Sequence, residues 1–322
     1  MAEENEDPRE RPWHPRYTTK LIGHAAEVSQ FEKAFKSGKP HHAWLLCGPE
    51  GIGKATMAYQ LAIKVLGGTD QARRWMESRA HPDLFVLERQ LNDSKPRRLR
   101  AEISVDDARG LANFLARTAS GWRVVIVDAA DDLNSESANA ILKLVEEPPA
   151  KTLIFLVSHQ PGRLLRTLKS RCLRMIMQPL VQEQVLSIIN NLPLDARPNP
   201  EELDRAVAQS GGSISQTLAL LSSTGAKAFA RFAGLTKPRA GELLAIAEQL
   251  GGRNVSWDEF GIFNRLLLEW TAARAKSTAS PALAEAYSRL AERARIAEGF
   301  NLDRKQAAME QLQIVNDALK AS

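Results

Sequence analysis

The sequence predicts a parallel α/β core followed by an all-helical C-terminal part. Two observations carry this. Apolar runs recur through the first part of the chain: "AWLLC" (43–47), "DLFVLE" (83–88), "RVVIVD" (123–128), "TLIFLVS" (152–158) and "LRMIM" (173–177). They are continuous rather than alternating, which marks strands buried on both faces, and helical spacing fills the gaps between them. After Pro179 such runs stop. Leu- and Ala-rich stretches such as "LLAIAEQL", "NRLLLEWTAARA" and "LAEAYSRLAERARIAEGF" take over with helical periodicity.

In chain order, residues 1–16 are charged and contain prolines, and read as a loose arm. Residues 17–179 form the α/β core. Within it, Ala138, Ile141, Leu142 and Val145 fall at i, i+3, i+4 and i+7, one apolar helical face that Pro148 and Pro149 bring to an end. Residues 180–235 read as a small helical domain, in which Ser213 is a candidate N-cap, and residues 236–322 as a further helical domain.

Composition narrows the class. The chain has 322 residues, too many for one small domain, and its 44% hydrophobic and 25% charged residues are those of a folded globular protein. A net charge of +5 is too mild to argue for nucleic acid. The two cysteines, Cys47 and Cys172, cannot build a four-cysteine zinc site; each lies in or beside apolar sequence and is expected to be a buried, reduced thiol. No apolar run reaches transmembrane length and the acidic start is no signal peptide, so the expected protein has no membrane partner and is cytoplasmic.

The chemistry-bearing stretch is "GPEGIGKAT" (48–56), placed between a strand and a helix. Gly48, Gly51, Gly53 and Lys54 match a phosphate-cradling loop, whose next residue ordinarily offers Mg²⁺ a hydroxyl. Here it is Ala55. Thr56 is one residue further on, turned about 100° around a helix, and cannot take its place. A second stretch, "VVIVDAADDLN", ends a strand in Asp128, suited to organising a metal. The position after it, where an ATPase with a helical lid carries the glutamate that activates water, is Ala129. The bland account of Asp128 is a strand-end carboxylate that caps a turn; Asp131 and Asp132 are expected only to open the next helix. A basic stretch, "SKPRRLR" (94–100), could touch DNA or simply be a solvated charged face.

"HPDLFVLE", "ISVDDARGLANFL", "GWRVVIVDAADDLN", "NAILKLVEEPP", "SHQPGRLLRTLKSRC" and "GGSISQTLALL" follow one another in an order that resembles the delta-prime family of bacterial DNA polymerase III clamp-loader subunits. The likeness is strong over residues 20–221 and looser to "EGFNLDRKQAAMEQL" near the C-terminus. It implies an AAA+ P-loop core with a parallel sheet, a helical lid (180–235) and a helical collar (236–322) through which a ring assembles. It implies that Arg171 acts as an arginine finger in a neighbour's ATP site, and that Ser158 stands in the sensor-1 place. The implied partners are the gamma/tau motor subunits, the delta subunit, the sliding clamp and primed DNA, within a DNA polymerase holoenzyme.

Three departures qualify the likeness. The segment after the P-loop helix has no cysteine, so no zinc is expected, and no other metal site is read from the sequence. Gln216, near the usual basic sensor-2 position, carries no charge. The P-loop is nearly intact, which allows ATP or ADP to be held without turnover. The expected function is therefore a non-hydrolysing architectural subunit; the alternatives are an active AAA+ motor subunit that works despite Ala55 and Ala129, or a nucleotide-binding regulator.

Overall fold

The computed structural model describes residues 7–92, 99–117, 121–194, 198–236, 238–252, 255–300 and 302–321. Residues 94–98 of the basic stretch lie outside these. The chain divides into two compact units, one of residues 1–197 with 207–215, the other of 198–206 with 216–322.

In the first unit the elements run α1 (Ala25–Lys36), β1 (Ala43–Cys47), α2 (Lys54–Val65), α3 (Asp70–Glu77), β2 (Leu84–Glu88), α4 (Val105–Ala116), β3 (Arg123–Asp128), α5 (Ser135–Glu146), β4 (Thr152–Ser158), α6 (Arg166–Ser170), β5 (Leu173–Ile176) and α7 (Gln182–Asn191). The five strands form one sheet in the order β2-β3-β4-β1-β5, every pair parallel. All five expected strands are there. Their continuous apolar sequence has the predicted cause: alternate residues enter different cores. Trp44, Leu46, Ile126, Phe155 and Met175 pack with Phe31 of α1 and with Met57 and Leu61 of α2. Leu45, Val125, Val127, Ile154 and Leu156 pack on the other face with Leu111 and Phe114 of α4 and Ile141 and Val145 of α5. Each such side chain, fully buried, contributes about 1.5–3 kcal/mol.

Helix starts follow local chemistry. Ser104 caps α4 while the Asp107 carboxylate accepts from the Ser104 N–H at 2.9 Å, a reciprocal box that satisfies two otherwise orphaned amides. Asn134 caps α5 through the Ser137 N–H.

Two sequence expectations change in the first unit. The arm is not loose over its described part: residues 7–17 contain two 3-10 turns, Pro8–Glu10 and Pro15–Tyr17, and Arg16 is buried. Ion pairs hold it, because Arg9 reaches Glu88 at 3.5 Å and Arg16 reaches Glu10 at 2.5 Å. Nor does the core end at Pro179. α7 and residues 207–215 cluster with the sheet, and the backbone explains why: Leu180 N donates to Gly212 O at 3.3 Å and Ile214 N to Gly51 O at 2.8 Å.

α8 (Pro200–Gln209) and α9 (Ile214–Ser222) each contribute residues to both units. The second unit continues with α10 (Thr224–Ala233), α11 (Ala240–Leu250), α12 (Trp257–Thr278), α13 (Pro281–Gly299) and α14 (Arg304–Lys320). It is all-helical, as expected, but the boundary at 235–236 does not separate two cores. Phe229 and Phe232 of α10 share one cluster with Phe260 and Phe263 of α12 and with Leu312 and Val315 of α14. A methyl on Gly225 would lie 1.9 Å from the Glu259 carbonyl, so the α10 and α12 backbones approach at a distance only glycine permits. Among the described residues no helix is long and apolar enough to cross a membrane.

Candidate phosphate-binding site

The cradle begins where β1 ends. Gly48 N donates to Ser158 O at 3.3 Å, joining the loop to the end of β4, and Gly53 (φ 100°) leads into α2. The first amides of this helix, those of Lys54, Ala55 and Thr56, find no acceptor among the described residues. They sit at the positive end of a twelve-residue helix, the arrangement that receives phosphate oxygens. Gly51 (φ 75°) is obligatory on a second ground: a Cβ there would stand 2.0 Å from Ser215 Oγ and 2.3 Å from Ser213 Oγ. The residue lying over the P-loop from the 207–215 segment is therefore Ser215, and Gln216, the position singled out from the sequence, is its neighbour. Ser215 is as chargeless as Gln216.

Lys54 is 2% exposed and folds back on its own loop, its Nζ donating to Gly48 O at 2.7 Å and also to Pro49 O. Burial lowers its pKa to about 8, against the opposing pull of Asp128, Glu50 and Asp131. The loop thus fits a polyphosphate through helix amides and one cation. It offers Mg²⁺ no hydroxyl at Ala55, whose side chain packs against the apolar cluster beneath α2.

Asp128 closes β3, in register beside Glu88 of β2. Burial raises its pKa to about 7, and the Glu88 carboxylate pushes it further up while Lys54 pulls it down. Glu88 is itself raised by burial, with Arg79 at 3.2 Å and Arg9 at 3.5 Å opposing. Next to Asp128, Ala129 is 4% exposed and its own side chain brings no carboxylate.

Ser158, at the C-terminal end of β4, is fully buried and donates from Oγ to Asp131 Oδ1 at 2.8 Å. The same carboxylate accepts from the backbone amides of His159 at 2.5 Å and Gln160 at 3.2 Å. Sequence reasoning gave Asp131 only a helix-opening role. It does lie in a 3-10 turn, Ala130–Asp132, yet its side chain ties that turn to the end of β4. Nothing local in "DAADDLN" foretells this, because its partners are 27–29 residues away.

Arg171 is the C-cap of α6, and its side chain is 42% exposed. Nη1 donates to Thr167 O at 3.1 Å and Nη2 pairs with Glu146 Oε1 at 3.0 Å. Its neighbour Cys172 is a buried free thiol like Cys47, and burial pushes its pKa up to about 12. The structure thus gathers Gly48, Gly51, Gly53, Lys54, Asp128 and Ser158 at the strand ends, and holds Arg171 at the surface.

The family model for the DNA polymerase III delta subunit matches residues 23–181. The subunit delta' of DNA polymerase III from Pseudomonas aeruginosa is 38% identical over 184 residues, covering 53% of each chain. The gamma subunit from Buchnera aphidicola is 28% identical over 219 residues, 66% of this chain and 59% of its own. The chain spans between about half and three-fifths of the length of these curated relatives. A gamma subunit-related protein of Thermotoga maritima, solved by crystallography, is similar with a TM-score of 0.49 and 16% identity over 91% of this chain and 98% of that one.

Proposed function

We propose, from the premise that residues 23–181 belong to the DNA polymerase III delta-subunit family and align with delta' subunits, that this chain is a non-hydrolysing AAA+ subunit of a sliding-clamp loader. The observation that carries the proposal is a built phosphate cradle with alanine at both positions that hydrolysis needs, Ala55 and Ala129. Loss of a general base alone lowers a rate about 10²–10⁴-fold, and loss of the metal hydroxyl adds to that. ATP or ADP bound here would be held by the α2 amides and Lys54 and not turned over; no zinc is part of this reading.

Arg171 then works outside its own chain. A guanidinium at the end of a short helix, half in solvent, can reach a neighbour's nucleotide, where it would stabilise charge spreading over the transferring phosphoryl group. The neighbour in this proposal is a gamma/tau motor subunit, the ring also contains delta, and its substrates are the clamp and primed DNA in the cytoplasm. The deciding experiment measures ATP binding and phosphate release by the isolated chain, then by the assembled complex with and without Arg171→Ala. Binding without turnover alone, and a partial loss of complex ATPase in the variant, are the expected results.

The second reading is an active motor subunit, favoured by the similarity to gamma. It requires turnover by the isolated chain that disappears in Lys54→Ala.

A further inference from the structure

The sheet ends in an uncovered edge. β5 pairs with β1 alone among the described strands. Met177 N donates to Cys47 O at 2.8 Å, so the two-residue alternation of a parallel ladder turns Leu173, Met175 and Met177 toward β1. The backbone N–H and C=O groups of Arg174 and Ile176 therefore face outward. Ile176 is 67% exposed, an unusual position for a strand isoleucine, and Leu173, at the start of the strand, is 37% exposed. Arg174 and Ile176 share one face, beyond Leu45 and Cys47 of β1.

The sequence leading into this edge is dense in positive charge. Arg163, Arg166, Lys169, Arg171 and Arg174 fall in twelve residues with no acid among them. All but Lys169 are exposed, and Arg171 pairs with Glu146. Unpaired strand edges are templates for another strand, and proteins commonly guard them with charge. Arg174 is such a guard against a second copy of this chain, since like charges across a strand pair repel. Against an acidic strand the same residue attracts.

We propose that β5 is a strand-addition site for an extended acidic segment of a partner protein. The segment pairs with the outward backbone of Arg174 and Ile176, sets a carboxylate against Arg174 and lays an apolar side chain on Ile176. A protein strand fits better than nucleic acid, because residues 161–182 contain no aromatic side chain on which bases could stack. The site consists of backbone groups and Arg174, and is independent of what Arg171 does.

The test uses the full chain and a fluorescein-labelled nonapeptide, Asp-Thr-Val-Thr-Asp-Thr-Val-Thr-Asp, with Lys in place of Asp as the comparison probe. The acidic probe should bind by anisotropy, and the lysine probe should not. Arg174→Glu should weaken binding about ten-fold or more, since it turns an attraction into a repulsion. Ile176→Pro, tolerated on an outward-facing edge position, should abolish it by removing the donor. Amide hydrogen exchange at Ile176 should slow about ten-fold or more on binding, while Met175, already bonded to β1, stays unchanged. Equal binding of both probes, absence of amide protection, or capture of oligo-dT with the same dependence on Arg174 and unaffected by Ile176→Pro would each overturn strand addition. Arg171→Ala, tested alongside, should leave peptide binding intact, which separates this failure from that of the arginine-finger reading.

Discussion

Arg171 and Glu146 join the ends of two helices: the guanidinium at the last turn of α6 lies 3.0 Å from the carboxylate at the last turn of α5. Both side chains are more than a third exposed, so the pair contributes at most about 1 kcal/mol to folding. Its effect is on geometry. Together with the bond to Thr167 O, it fixes the direction of a side chain whose proposed work lies in another subunit.

Arg171→Ala should therefore leave the melting curve of the isolated chain within about 1 kcal/mol of the parent. In the assembled complex it should lower ATPase and clamp loading, loading more than ATPase if every site must fire. Arg171→Lys should rescue poorly, because an ammonium keeps the charge and loses the planar fork. A complex that loads clamps at the parent rate with Arg171→Ala refutes the assignment.

The isolated chain should release no phosphate from ATP above background, with or without primed DNA and clamp. Lys54→Ala should reduce binding of a fluorescent ATP analogue and leave the background rate where it was. Turnover that vanishes in Lys54→Ala would make this chain a motor.

Asp128→Asn should stabilise the protein at alkaline pH. The folded pKa of Asp128 is raised from 3.8 to about 7, so the folded state binds the proton more tightly than the unfolded chain. Its contribution is fully present below about pH 4, declines through the window up to about 7, and is then a standing cost of about 4 kcal/mol. Urea denaturation of both forms should diverge as pH rises from 4 to 8, the Asn form being the more stable at pH 8. Parallel curves would mean the carboxylate ionises at no cost.

Asp131→Ala should destabilise by about 1–3 kcal/mol, since it strips a buried hydroxyl and two amides of their acceptor. Hydrogen exchange should speed up at His159 and Gln160 before it does in β1. Unchanged exchange there would show that Asp131 is not what holds the end of β4.

The sheet was legible in the sequence because strands buried on both faces leave continuous apolar runs, and each expected run is a strand. The glycines and Lys54 of the P-loop were legible because a tight cradle restricts residue type at fixed spacing. The unit boundaries were not. Composition changes near Pro179, but what binds 207–215 to the first unit is two backbone hydrogen bonds, Leu180 to Gly212 and Ile214 to Gly51, and backbone bonds carry no side-chain signature. Likewise the stretch after α10 looks like a linker, while Phe229 and Phe232 already belong to the core of α12 and α14. A chain cut at Thr236 should consequently expose those two rings and misbehave, instead of yielding a clean core. Asp131 escaped for the reason that Ser158 lies 27 residues away, and a contact of that range leaves no local pattern.

Ala129 is sealed in packing at 4% exposure, and under the proposed function this makes hydrolysis hard to install. Turnover in this cradle would need a hydroxyl at 55 and a carboxylate at 129. Ala129→Glu would push an unpaired charge into a site that is 4% exposed, at a cost of several kcal/mol before any catalysis is gained. Neighbouring Ala130, 2% exposed, leaves no slack to absorb it. A substitution toward turnover at 129 therefore meets a stability cost before it gains anything, and under the proposed function the well-filled interior itself guards the non-catalytic role.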